Sequence, residues 1–455
     1  MSDILSASRN ELIDLVYELY DKVQVLEGEN AHLRELLVRK GGGKGPGASL
    51  PEFVKPNVRV KKKIQPRKKR EGSFHRRREI PTERIFHSLT TCPECGGKVG
   101  KPSVAYTRQV LELPVVSYTV IEHVVTKHWC LNCKKRVSPK VDWNKYTLGR
   151  GRIGLNLATT ITLLRDRLRL PVNLLKMYLK LVYGLDLSEG EITKVLQTVA
   201  AIGKPRYNQL RQDLLTSDFV HGDETGGREQ GRNGYFWSFS TPQTHYLIYR
   251  KSRGSKVVEE ILGKDGGDYQ GVVVSDFYAA YNAYAGFHQR CWVHLFRDIK
   301  ELRKQYPHHP PLNRWAQRVK RIWEEAKDYT GPPSNTPLGL ALQLRTTKQH
   351  EFEKKLKEVC KPYLYRETPM STLSGRLITY LPEMFTFVRV AGVPSHNNPA
   401  ERILRHTVVT RKISGGTRSP LGSETKVVLT SLFDTWHLRH LNLFDQCRLM
   451  LSTCQ

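Results

Sequence analysis

Three acidic residues and two pairs of cysteines have the types and spacing to do chemistry. Asp223 lies in DFVHGDETG, Asp276 in GVVVSDFYAAY and Glu401 in NNPAER. Carboxylates gathered in a protein interior repel one another unless protonated or neutralised by a cation. Oxygen-only ligands select a hard ion, Mg²⁺ or Mn²⁺, which keeps waters and phosphate oxygens in its remaining positions. Two such ions can activate the attacking oxygen and stabilise the leaving one during in-line displacement at a phosphodiester. Taken singly, each of these acids reads as a turn or cap residue, and Glu224 beside Asp223 rivals it for the first position. The cysteines are plainer. Cys92-Pro-Glu-Cys95 and Cys130-Leu-Asn-Cys133 each set two thiolates on one tight turn, and two such turns complete a tetrahedron around one Zn²⁺. Four cysteine ligands leave no open position for water, so that zinc is structural.

These residues need elements to position them. From Ser217 the sequence runs through three short strands rich in aromatic and β-branched residues, DFVHGDETG, GYFWSFSTP and THYLIYRKS. A helix, KVVEEILG, and a buried strand, GVVVSDFYAAY, follow. That order opens a ribonuclease H-like α/β core: three antiparallel strands, then a fourth laid parallel to the first after a crossover helix. Asp223 on the first strand and Asp276 at the end of the fourth then lie side by side. Asn397, Asn398 and Pro399 mark a helix start, with Glu401 one turn in. Between Asp276 and Glu401 a helical insertion is predicted over about 295–392. In it Trp315, Val319 and Trp323 share one face, EFEKKLKEVCKPYL forms another helix and GPPSNTP is a loop. The insertion either covers the site and contacts DNA ends, or its tryptophans fill its own core. Cys291 is expected to be buried and inert.

The rest of the chain reads as partner-binding modules. Its 455 residues suggest two to four domains at roughly 100–200 residues each. The formal charge of +29 points to a polyanion, since Lys and Arg displace the counterions condensed on phosphates. No stretch of about 18 apolar residues is present, and the N-terminus lacks the basic start and apolar run of a signal peptide, so no membrane is expected. Eight cysteines, four of them in close pairs, fit metal binding in a reducing compartment better than disulfides.

In residues 1–40, Leu5, Leu12, Leu19, Leu26 and Leu33 recur at heptad d positions, with Val16, Val23 and a single Asn30 at a. That pattern favours a parallel coiled-coil homodimer. Residues 41–84 form a basic linker with thirteen Lys or Arg against three Glu between Lys55 and Arg84. Its Lys61, Lys62, Lys63, Lys68, Lys69, Arg70, Arg76, Arg77 and Arg78 are expected to track DNA phosphates. Residues 85–145 are read as a zinc ribbon, with TRQVLELPVV and SYTVIEHVVTKHW as its strands. Residues 146–215 form helices with a helix-turn-helix rhythm: a break at Pro171, a stop at Gly184 and a capping box at Ser188–Glu191. The catalytic segment spans 216–430 and a helical tail 431–455. Arg402, Arg405, Arg411 and Lys412 continue from Glu401 as a DNA-gripping face, with His294 and Arg297 near the metals. SGGTRS reads as a phosphate-binding turn. The whole is a multidomain α+β chain.

The segments HGDETGGREQGRNGYFW, SDFYAAYN, CWVHLFRDIKEL and HNNPAERILRHTVVTRKISGGT resemble, in order, the motifs of the insertion sequence 66 family of DDE transposases. The N-terminal heptads, the CPECGG and CLNC knuckles and the C-terminal LTSLFDTWHLRHLNLFDQCRLML resemble that family's zipper, zinc-finger and tail segments. The resemblance runs from about residue 5 to 451. It implies a metal-binding triad of Asp223, Asp276 and Glu401, cleavage at terminal inverted repeats with Mg²⁺, and joining of the freed 3′ ends to target DNA. It implies a bacterial, nucleoid-associated setting and leaves open a need for accessory proteins of the same element.

Overall fold

The computed structural model describes Val23, Leu26 and residues 80–111, 113–149, 151–264 and 268–453. Val23 and Leu26 are helical and exposed. The rest of the heptad segment and the linker residues Lys61 to Arg78 lie outside the described residues. Two compact units are present, residues 42–117 and the remainder of the chain.

In the larger unit three helices come first: α1 (Leu155–Asp166), α2 (Val172–Tyr183) and α3 (Glu189–Leu215). Their ends are written locally. Pro171 precedes α2, and Gly184 closes it at φ +70, a left-handed conformation that glycine adopts without a Cβ penalty. Ser188 caps α3 through a reciprocal pair of bonds: its hydroxyl accepts the Glu191 N–H at 3.1 Å, and the Glu191 carboxylate accepts the Ser188 N–H at 2.9 Å. Pro205 sits inside α3 without ending it.

A five-stranded sheet follows, with strands side by side in the order His245–Arg250, Arg232–Ser240, Phe219–Glu229, Val272–Ser275 and Phe287–Arg290. β3 (Phe219–Glu229), β4 (Arg232–Ser240) and β5 (His245–Arg250) form an antiparallel meander. A two-residue turn, Gln230 at φ +52 and Gly231 at φ +76, joins β3 to β4, as the right-handed twist of a hairpin requires. α4 (Lys256–Leu262) then carries the chain across to β6 (Val272–Ser275), which pairs parallel with β3, and β7 (Phe287–Arg290) pairs parallel with β6. The strand order expected from the sequence is therefore present. Helices α5 (Trp292–Gln305), α6 (Pro310–Lys327), α7 (Leu338–Cys360), α8 (Ser371–Thr379), α9 (Leu381–Met384) and α10 (Thr386–Arg389) come next, then α11 (Asn398–Ser414), α12 (Pro420–Leu438) and α13 (Leu443–Thr453).

Two large hydrophobic cores divide this unit, beside a small third cluster of Val272, Val274 and Val393. The first joins α1–α3, the sheet and α11–α13, with Trp237, Phe239, Tyr207 and Phe433 buried in it. The second belongs to α5–α10 and holds Trp292, Trp315, Val319, Phe352 and Phe385. Trp315 and Val319 thus fill the insertion's own core, and half-buried Trp323 packs against it and donates to the Ser395 hydroxyl at 3.3 Å. No described helix is long and apolar enough to cross a membrane.

The strands expected between the cysteine pairs are a correction. Among the described residues, 99–127 carry no strand, and Val104, Tyr106, Leu111, Leu113 and Ile121 stand exposed. Alternation supplies an apolar face, but a ladder also needs a layer to cover it, and small metal modules draw that folding energy from the metal–thiolate bonds. Only a short hairpin forms, β1 (His128–Cys130) with β2 (Lys135–Val137). His123 is not in a strand but lies edge-on to Trp143.

Candidate active site

Asp223 sits mid-way along β3, opposite Ser238 of β4. β3 and β6 run in register from Phe219–Val272 to His221–Val274, and carrying that register on by two residues sets Asp223 level with Asp276. Asp276 is the first residue beyond β6. Its Oδ1 accepts the Tyr278 N–H at 2.9 Å, and its carbonyl accepts from Arg290 Nη1 at 3.0 Å, which fixes the turn leaving the strand. Burial, followed by the carboxylates of Glu224, Asp276 and Glu401, pushes the Asp223 carboxyl up to about 7. Its Oδ1 accepts the backbone N–H of Glu224 at 2.9 Å, which pulls the other way.

Glu224 is separated from Asp223 by the pleat. Its carboxylate, 3% exposed, accepts from Arg253 Nε and Nη2 at 3.1 and 2.7 Å and from the Tyr281 hydroxyl at 2.8 Å. Every strong donor near Glu224 belongs to the packing on that face. The Tyr281 ring lies so close to β3 that a Cβ on Gly222 would come within 2.6 Å of it. Burial still raises the Glu224 pKa, with Arg253 and Tyr281 opposing.

Glu401 arrives on the first turn of α11, which Pro399 starts. Asn397, at the cap position, makes no side-chain cap bond. Its side chain reaches across to the sheet: Nδ2 donates to the Gly222 carbonyl at 2.7 Å, and Oδ1 meets His221 Nδ1 at 2.8 Å. With Nδ2 donating, Oδ1 accepts, so His221 carries its proton on Nδ1. Burial lowers the His221 pKa to about 4, which keeps the ring neutral. The backbone N–H of Asn397 donates to Cys291 Sγ at 3.0 Å, giving the buried thiol a role as an acceptor. Asn397, 1% exposed, thus pins the start of α11 to β3 one residue from Asp223. The sequence offered only its place in NNPAER, which reads as a cap.

The carboxylates are neighbours without converging. Among the described residues no three His, Cys, Asp or Glu side chains meet in ligand geometry. Glu401 is instead held by Arg297 in a two-pronged pair, Nη1–Oε1 at 2.7 Å and Nη2–Oε2 at 2.8 Å, with His294 Nε2 3.4 Å from Oε1. Arg297 keeps the Glu401 pKa below its ordinary value. The partner the structure gives both Arg297 and His294 is this carboxylate, and the two-pronged geometry is the one a guanidinium favours. The donor set still fits a divalent cation: a carboxyl raised first by burial and then by its acidic neighbours gains most from one. Arg402, Arg405 and Lys412 are exposed on α11, whereas Arg411 donates to the Gly226 carbonyl and to Thr225 Oγ1 and is half-buried.

Each cysteine pair is shaped by its own turn. Cys92 donates its N–H to the Gly97 carbonyl and accepts from Gly96 N–H at its own carbonyl, both at 2.8 Å, with Gly96 at φ +71. Backbone N–H groups of Glu94 and Cys95 lower the Cys92 thiol pKa. Cys130 ends β1, and N–H groups of Cys133 and Asn132 lower its thiol in the same way. Turns that stabilise thiolates suit Zn²⁺, which binds the deprotonated sulfur. Cys92 and Cys95 belong to the 42–117 unit and Cys130 and Cys133 to the other.

The chain matches no curated protein. Two family models do match it. The zinc-finger binding domain of transposase IS66 covers residues 90–134, the stretch holding both cysteine pairs. The Transposase IS66 family model covers residues 150–425, which takes in the whole sheet and all three carboxylates. Since that second match spans well over half of the molecule, the chain belongs to the IS66 transposase family.

Proposed function

We propose that this transposase cuts DNA at the ends of its element and joins the freed 3′-OH ends to target DNA, using Asp223, Asp276 and Glu401 as ligands for two Mg²⁺ or Mn²⁺ ions on a ribonuclease H-like core. The observation that carries the reading is the parallel β3–β6 register, which levels Asp223 with Asp276, joined to the Asn397–Gly222 bond that brings α11 and Glu401 to the same strand. Bound at such carboxylates, divalent ions supply activation of the attacking oxygen and stabilisation of the leaving one.

The chain's own residues set the conditions for this. Asp223 must be ionised to act as a ligand, and burial among other carboxylates makes ionisation dependent on a nearby cation. Arg253 and Tyr281 hold Glu224 on the opposite face, out of the set. Turning Glu401 toward the two aspartates frees the Arg297 guanidinium for a phosphate oxygen. Arg402, Arg405 and Lys412 extend that contact along α11. Cys92, Cys95, Cys130 and Cys133 would hold one structural Zn²⁺, and helices α2 and α3 with the linker would add DNA contacts. The heptads would pair two copies in a bacterial cytoplasm, on the nucleoid. The domain boundaries read from the sequence belong to the same proposal, as does any accessory protein of the element.

The test is strand cleavage and joining on labelled DNA bearing the element's terminal repeat, with Mg²⁺, Mn²⁺ or chelator. Asp223→Asn and Asp276→Asn should each lose on the order of 10³-fold or more of the rate while still binding DNA. Cleavage without joining would make the protein a nuclease; cleavage that survives both substitutions would overturn the assignment of the site.

A further inference from the structure

The tip of the β3–β4 hairpin carries a feature that the carboxylate chemistry does not use. Two adjoining hollows, of about 370 and 420 Å³, lie where residues 414–418 pass the hairpin. Thr417 adds a single parallel bridge to Glu229, its N–H donating to the Arg228 carbonyl and its own carbonyl accepting the Gln230 N–H, both at 2.8 Å. The SGGTRS turn is therefore docked on the sheet. Arg228, Arg411 and Arg418 line the hollows, and no carboxylate does. Glu229, which ends β3 beside Arg228, is 7% exposed and accepts from the Ser423 hydroxyl at 2.5 Å, so its charge is turned inward.

The floor is largely glycine, and packing explains most of it. A Cβ on Gly227 would meet the Phe236 ring at 2.5 Å, one on Gly416 would strike the Arg228 carbonyl, and Gly415 has φ +71. Gly226 is different. A Cβ there would have Arg411 Nη1 as its nearest neighbour at an ordinary 3.5 Å. Its absence leaves the Arg411 guanidinium uncovered, held in place by the Gly226 carbonyl and Thr225. A fixed guanidinium on a side-chain-free floor, flanked by the exposed Arg228 and Arg418, is suited to phosphate oxygens rather than to a base or an apolar group.

We infer that these hollows bind the phosphodiester backbone of a DNA strand whose reacting phosphate lies at Asp223. Gly226 is three residues along β3 from Asp223, roughly 10 Å at strand rise. That is about three base steps of a duplex. The inference rests on the proposed transposase reading and adds to it a path for the strand, along β3 toward the hairpin tip.

Fluorescence anisotropy of the full chain, over a range of salt concentrations, tests it with two labelled duplexes: one bearing the terminal repeat, one of unrelated sequence. Arg228→Ala/Arg418→Ala should flatten the slope of log affinity against log salt by about 1.8, two phosphate contacts at 0.9 each. Arg228→Lys/Arg418→Lys should keep the slope, which separates lost charge from lost folding. Flattening on the repeat duplex alone assigns the hollows to the element's end; flattening on both assigns them to any strand, target included. Unchanged slopes on both duplexes would overturn the inference while leaving the parent chain's cleavage, and the reading it rests on, intact. A parent chain that cuts neither duplex would instead sink that reading.

Discussion

The carboxylate region and the cysteine knuckles place their candidate ligands in opposite ways. Each knuckle is complete within six residues: Cys92 to Gly97 closes on itself with two backbone bonds, and the N–H groups that stabilise Cys92 come from the next three residues. The carboxylates have no local partner in common. Asp223 and Asp276 come level only because β6 returns beside β3, and Glu401 is carried to the same strand on α11, whose start Asn397 ties to Gly222. Local ligand sets tolerate change elsewhere in the fold. Long-range ones inherit every fault in the packing between their members.

That difference can be broken or sharpened by substitution, judged on the stability and rate of the carboxylate-bearing unit. The largest effect is expected from Asn397→Ala. It strips the Gly222 carbonyl and the His221 N–H of their partner in a buried site, which costs about 2–4 kcal/mol. Cleavage should fall on the order of 10²-fold through misplacement of Glu401, with metal affinity reduced as well. Full cleavage with normal melting would mean that α11 is held some other way.

An effect of similar size but opposite sign, and confined to higher pH, is expected from Asp223→Asn in metal-free buffer. The folded Asp223 pKa, about 7, lies above its ordinary 3.8. Below about pH 4 the group is protonated folded or unfolded and costs nothing. Its penalty then grows with pH and levels off above 7. The asparagine variant should therefore melt higher than the parent at pH 8, by on the order of 2–4 kcal/mol, with the gap closing as pH falls to 4. Adding Mn²⁺ should narrow the gap by stabilising only the parent. A gap independent of pH would show that the carboxyl is not raised.

The smallest effect on this unit should follow Cys130→Ser. Bound zinc, measured on the purified chain, should drop well below one per molecule, while the melting of the sheet-bearing unit shifts by no more than about 0.5 kcal/mol. A large shift would mean that the knuckle is structurally continuous with the sheet and that the contrast drawn above is too strong.

Much of the larger unit could be read from the sequence, because the signals were periodic or terminal. Pro171, Gly184 and Ser188–Glu191 mark helix ends where they fall, and the strand–helix–strand order around KVVEEILG gives the β3–β6 neighbourhood. What could not be read shares one cause. The alternation in SYTVIEHVVTKHW has no layer to cover it, so only its last residues form a strand. Asn397 does hold the cap position, but its side-chain partner, the Gly222 carbonyl, is too far away in sequence to be legible there. The Arg297–Glu401 pair is not legible in the sequence because the two residues lie far apart along the chain.

By itself, then, the sequence determined what short-range physics controls: the helix ends, the strand–helix–strand order of the sheet and the two thiolate turns. The tertiary structure decided which member of the Asp223–Glu224 pair faces the other carboxylates. Alternation puts the two on opposite faces of β3 without saying which face is which. The choice is made when Arg253 and Tyr281 pack over one side and α11 over the other, and packing between distant segments is not encoded at any single position along the chain.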